Sequence, residues 1–108
     1  MALFEHVIML KQDLSTNEID SVLKFHQETL DELDANIVYK ESWGLRNLAY
    51  PIKNNKKAFY EFMNIEMPQQ NIEALNSKLN LNENIIRYLS IKVKSFGETP
   101  TAMINEKD

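Results

Sequence analysis

Two histidines, His6 and His26, have the widest chemical range of any side chains in this sequence, and their sequence neighbours give them little to work with. His26 falls on the apolar side of a helical repeat and reads as a satisfied core or boundary residue. His6 follows Glu5, but adjacent residues of a strand point to opposite faces, so they make no dyad. The two histidines stand alone, without the close His, Cys or acid spacing that holds zinc. There is no cysteine, hence no thiolate nucleophile and no disulfide framework. Gly44 and Gly97 are the chain's two glycines, too few for a loop that cradles phosphates. No nucleophile is paired with a base at a readable spacing. Asp31, Glu32 and Asp34 read as the solvated surface of a helix. The expectation is a protein that is not an enzyme and needs neither metal nor cofactor.

Binding chemistry is better represented. Lys40, Arg46, Lys53, Lys56, Lys57, Arg87, Lys92 and Lys94 are interleaved with Trp43, Tyr50, Phe59, Tyr60 and Tyr88. Cationic side chains can meet phosphates, and aromatic faces can stack on unpaired bases. The net charge of −4 taken alone argues against nucleic acid, but its distribution does not. From Asp13 to Asp34 seven acids stand against Lys24, whereas from Lys40 to Lys57 five bases stand against Glu41. From Asn84 to Lys94 the charged residues are Arg87, Lys92 and Lys94, all basic. One acidic helix and two basic strands would give the molecule a negative side and a positive side. The segment from Lys57 to Phe62 has a faint likeness to an RNA-recognition consensus, but Glu61 and the missing small residues set it apart.

The elements that must position these residues follow from periodicity. Leu3 to Leu10 is almost continuously apolar and reads as a central strand. Ser15 and Glu18 have the spacing of a capping box. Behind them Ile19, Val22, Leu23, His26, Leu30 and Leu33 form one stripe of a helix from about Thr16 to Leu33. Ile37 to Ile52 alternates as a long second strand. Gly44 within it suggests a bulge, and Pro51, which has no N–H for a ladder, marks its end or a free edge. A basic hairpin tip, Lys53 to Lys57, leads into an aromatic third strand, Lys57 to Met67. Pro68 suits the first position of a second helix reaching Asn80. A last strand spans Asn84 to Val93, with Ile85, Arg87, Leu89, Ile91 and Val93 on one face and Ile86, Tyr88, Ser90 and Lys92 on the other. The order β-α-β-β-α-β is the ferredoxin-like, α+β arrangement: a four-stranded antiparallel sheet with two helices on one face. The other face is left bare for a partner. Residues 1–95 form this single domain, and 96–108, with apolar beads at Phe96, Met103 and Ile104, are expected to be a flexible tail.

At 108 residues one domain is expected, burying roughly 60–70% of its unfolded surface. No apolar run reaches the ~18 residues of a membrane span. The first residues, Met1 to His6, lack the basic segment and cleavage site of a signal peptide, so a cytoplasmic location is expected.

Three segments bring a known family into view. The sequence resembles the bacterial small-subunit (30S) ribosomal protein S6 family at Gly44-Leu45-Arg46-Asn47-Leu48-Ala49-Tyr50-Pro51-Ile52, at Asn64-Ile65-Glu66-Met67-Pro68, and from Leu79 to Tyr88. The likeness runs in order from about Leu3 to Val93. It implies a ferredoxin-like structural protein of the ribosome, acting in translation. It implies that the chain binds small-subunit (16S) ribosomal RNA as a heterodimer with the small, basic ribosomal protein S18. An acidic protein can sit on RNA when it presents a modest basic side and a basic partner provides the rest. The candidate RNA contacts are Arg46, Lys53, Lys56, Lys57, Arg87 and Lys92, with Arg46 and Arg87 at matched positions. Neither DNA nor a membrane is expected as a partner. A rival reading is a dimeric α+β barrel enclosing a small molecule, with Phe4 to Lys11 as its opening strand and His6 as a pocket base.

Overall fold

A computed structural model describes residues 1–97. Its elements are β1 (Ala2–Lys11), α1 (Thr16–Glu32), β2 (Asn36–Ile52), β3 (Asn55–Met67), a short 3-10 turn (Gln69–Asn71), α2 (Ile72–Asn80) and β4 (Ile85–Val93). The four strands form one antiparallel sheet in the order β2-β3-β1-β4. This is the ferredoxin-like arrangement expected from the sequence. The tail expected from residue 96 lies, from residue 98 onward, outside the described residues, and so do Met103 and Ile104.

Local chemistry starts each element. Ser15 accepts the N–H of Glu18 at 3.2 Å, and Glu18 Oε1 accepts the Ser15 N–H at 2.8 Å, completing the capping box of α1. Those two bonds satisfy donors that the first helical turn would leave orphaned, and they hold the Glu18 carboxyl below its usual range. Gly44 has φ +72° and lies where the β2–β3 register shifts between Ser42 and Gly44. This is the bulge that the glycine suggested. Pro68, by contrast, has ψ 129° and stands outside α2. The chain first makes a 3-10 turn and enters the α-helix at Ile72.

The main core lies between the sheet and both helices. It joins Phe4, Ile8 and Leu10 of β1 and Met63, Ile65 and Met67 of β3 to Val22 and Leu30 of α1 and Leu75 and Leu79 of α2. Even-numbered β1 residues therefore face the helices, as strand alternation requires. The opposite face is less bare than the sequence suggested. A second apolar cluster, Val7, Met9, Ala58, Phe62 and Ile86, occupies it, with Trp43, Leu48, Ile52, Tyr60 and Leu89 packed against it.

One face assignment in β4 needs correcting. The β1–β4 register slips between Met9 and Leu10, so Met9 pairs with Arg87 and Leu10 with Ile85. The extra residue is Ile86. It turns onto the helix-free face with Arg87 and Leu89, while Ile85 joins the main core. A bulge changes side-chain parity, and strict alternation read along one strand cannot register it.

Candidate nucleic-acid interface

Register arranges the helix-free face in rows across β2, β3, β1 and β4. The first is Asn36, Glu66, Leu3 and Val93; the second Tyr39, Asn64, Glu5 and Ile91; the third Glu41, Phe62, Val7 and Leu89. The fourth holds Gly44, with Trp43 at the bulge, then Tyr60, Met9 and Arg87; the fifth holds Arg46, Ala58 and Lys11. Acids occupy the first three rows and bases the last two. The face is polarised along the strands, not across them.

At the basic end Trp43 organises the surface. Its ring stacks on Phe62 (centroids 5.3 Å apart, planes at 8°) and on Tyr60 (6.0 Å, 22°). Its Nε1–H donates to Glu41 Oε1 at 2.8 Å, and the Tyr39 hydroxyl donates to Glu41 Oε2 at 2.9 Å. The carboxylate beside it raises the pKa of the Tyr39 phenol. The Arg46 guanidinium lies over the indole, 5.6 Å from the ring centroid, and its Nε donates to the Trp43 carbonyl at 3.3 Å. Stacking and a cation–π contact hold Arg46 in a defined pose with its remaining donors available.

The hairpin brings in the other cations. Lys53 (φ 49°) and Asn54 (φ 69°) both take positive φ, and Ile52 pairs with Asn55 across them. This is a two-residue type I′ turn, whose twist suits the flanking strands. Buried Asn55 secures it: Nδ2 donates to the carbonyls of Ile52 and Lys53, and Oδ1 accepts the Gln12 N–H. Gln12 Oε1 in turn accepts the N–H groups of Lys56 and Lys57. The β1–α1 loop thus ties down a tip whose lysines, Lys53, Lys56 and Lys57, are all exposed. Between the pairs Asn47–Lys57 and Ile52–Asn55 the β2 side carries extra residues. This slack carries Tyr50 toward the far edge of the sheet, where its hydroxyl accepts from Arg87 Nη1 at 3.3 Å.

Five of the six candidate residues, Arg46, Lys53, Lys56, Lys57 and Arg87, therefore lie toward the hairpin end of the sheet. Lys92 does not. It pairs with Phe4 on the helix-side row at the opposite end, and its Nζ donates to Gln69 Oε1 at 2.6 Å. Lys40, too, belongs to a helix-side row, beside a crevice of about 260 Å³ that includes His26, Glu61 and Met63 in its walls.

The histidines hold the main surprise. They are not alone: His6 Nε2 and His26 Nε2 are 2.9 Å apart, and both side chains are buried. His6 Nδ1 lies 3.0 Å from the Leu89 carbonyl and 2.7 Å from Ser90 Oγ. A carbonyl only accepts, so His6 carries its proton on Nδ1. Its Nε2 then accepts from His26 Nε2–H. Burial lowers the pKa of His6 to about 4, opposed by the Leu89 hydrogen bond; burial and then His6 lower that of His26 to about 3. The pair is neutral near pH 7 and joins β1 to α1. It is placed as a structural bond, with His6 facing the helix rather than a pocket on the free face. Among the described residues no group of three or more His, Cys, Asp or Glu side chains could hold a metal ion.

The sequence profile of the family described as Ribosomal protein S6 matches residues 3–92. The chain belongs to the ribosomal protein S6 family. Similar members include the small ribosomal subunit protein bS6 of Zymomonas mobilis, 37% identical over 108 residues that cover all of this chain and 87% of the relative. That of Rickettsia prowazekii is 39% identical over 107 residues, 99% of this chain and 88% of the relative. The crystal structure of 30S ribosomal protein S6 from Thermotoga maritima shares the fold at a TM-score of 0.80 and 19% identity, covering 85% of this chain and 87% of that one. As an S6-family protein the chain is a structural constituent of the small ribosomal subunit and not an enzyme, and its place is the cytoplasmic ribosome. Membership in the S6 family, with His6 buried against His26, sets aside the small-molecule barrel.

Proposed function

We propose that this chain binds small-subunit ribosomal RNA through the hairpin end of its helix-free face, in partnership with ribosomal protein S18. The observation that carries the reading is the gathering of Arg46, Arg87 and the hairpin lysines at one end of the sheet, away from the acids of the first three rows. Arg46, preset over Trp43, presents a planar fork suited to phosphate oxygens. The hairpin lysines add point charges on a tethered loop, and Arg87 closes the other edge. Lys92 enters as a separate contact at the far end. A few phosphate contacts on a chain of net charge −4 make a weak RNA binder alone, so the basic S18 supplies the remaining attraction.

The test is titration of a central-domain fragment of the small-subunit RNA with the chain alone, with S18 alone and with both. The expected result is weak binding by the chain, tight binding by the pair, and a steep loss of affinity with salt. Tight binding by the chain alone, independent of salt, would contradict the phosphate-contact account.

A further inference from the structure

The bond between the two histidines leaves one ring nitrogen over. His6 donates from Nδ1 to the Leu89 carbonyl and accepts at Nε2. His26 must then carry its proton on Nε2, so its Nδ1 is a bare lone pair. Among the described residues nothing donates to that lone pair, although His26 is only 2% exposed. A buried side chain with an unused acceptor is uncommon. The ring forms part of the wall of the crevice of about 260 Å³ between α1 and β2, the outer strand of the sheet.

Charge in the same crevice is also left over. Lys40 of β2 and Glu61 of β3 both line it. Register sets them one row apart, Lys40 opposite Met63 and Ser42 opposite Glu61. They pair neither with each other nor with any other described residue, and Glu61 is half-buried. Glu41, also in the wall, is already engaged, because Trp43 and Tyr39 donate to its carboxylate. Leu23, Ile37 and Met63 give the crevice an apolar side. A lone pair and a carboxylate call for a ligand cation with several N–H donors. An unpaired ammonium beside a hydroxyl calls for a ligand anion. The apolar side calls for a short hydrocarbon body joining them.

We infer that this crevice binds a free α-amino acid with an apolar side chain. Its ammonium donates to His26 Nδ1 and to the Glu61 carboxylate. Its carboxylate accepts from the Lys40 ammonium and the Ser42 hydroxyl, and its side chain lies against Leu23, Ile37 and Met63. A ligand with only one of the two charges would leave Lys40 or Glu61 covered and unpaired, which costs binding. The crevice is smaller than the pockets of roughly 300–1,000 Å³ that hold drug-sized ligands, which limits the occupant to a small molecule. It opens on the helix side of the sheet, so the inference does not depend on the proposed RNA binding.

The test is an NMR titration of the ¹⁵N-labelled full chain with L-leucine, with 3-methylbutylamine, which lacks the carboxylate, and with 4-methylpentanoate, which lacks the ammonium. L-leucine should shift the amides around His26, Lys40 and Glu61 saturably below about 10 mM, and should move the His26 Nδ1 resonance as its lone pair accepts a proton donor. The amine and the acid should each bind at least about tenfold more weakly. Glu61→Gln and Lys40→Gln should each weaken L-leucine by a similar factor while the far-UV circular dichroism spectrum and the His6 ring resonances stay unchanged. No saturable shift with L-leucine would overturn the site. Equal affinity for the amine and for L-leucine, or undiminished affinity in both variants, would overturn the recognition of a zwitterion.

Discussion

Lowering the pH from about 7 to about 5 should remove much of the stability of this domain, through two buried side chains. His6 and His26 are neutral in the folded protein, with pKa values lowered to about 4 and about 3. In the unfolded chain each returns to about 6.5. Between those limits the unfolded state binds more protons than the folded one, so stability rises with pH and falls as pH drops. It is fully present above the unfolded pKa and lost progressively as pH falls from about 6.5 toward the folded values. Near pH 5 each histidine has cost about 1.5 pH units at 1.36 kcal/mol per unit, so the pair costs about 4 kcal/mol. It is a large part of the 5–15 kcal/mol typical of a whole domain. The assay is urea denaturation near pH 7 and near pH 5, followed by Trp43 fluorescence and far-UV circular dichroism. A His6→Gln/His26→Gln variant should be much flatter over the same interval, because it has no buried imidazole to charge. Equal stability of the unaltered protein at both pH values would refute the buried neutral pair.

Two further outcomes follow from the geometry. Trp43→Ala removes a ring stacked on Phe62 and Tyr60 but still half-exposed, so it should cost about 2–4 kcal/mol in denaturant titration, short of a fully buried aromatic; a cost near zero would show the stack to be ornamental to the fold. Gly44→Ala meets open space but must hold φ +72°, so about 1 kcal/mol of backbone strain is expected, and a stabilised variant would contradict the bulge geometry.

Signals confined to one segment were legible in the sequence. The Ser15–Glu18 capping box, the bulge at Gly44 and the apolar stripe of α1 each follow from a few neighbouring residues. What escaped depends on pairing between distant segments. His6 and His26 meet because β1 and α1 stack in the folded chain; the helical stripe placed His26 toward the sheet, but a strand apolar at nearly every position does not say which face His6 takes. The bulge at Ile86 arises from the register of β4 against β1, so no pattern within β4 alone reveals it. Composition grouped Lys92 with the other cations, yet the sheet's parity puts it on the helix side at the far end. The charge split along the helix-free face was hidden for the same reason. Glu5, Glu41 and Glu66 lie far apart in sequence and come together through strand pairing.

The measurement that bears most directly on RNA binding at the hairpin end is the salt dependence of affinity for the central-domain RNA in the presence of S18. It compares the unaltered chain with Lys53→Glu/Lys56→Glu/Lys57→Glu. The expected result is weaker binding by the variant and a shallower dependence of log affinity on log salt, the slope falling by about 0.7–0.9 for each phosphate that the lysines no longer neutralise. An unchanged affinity and an unchanged slope would contradict RNA binding at this end of the sheet.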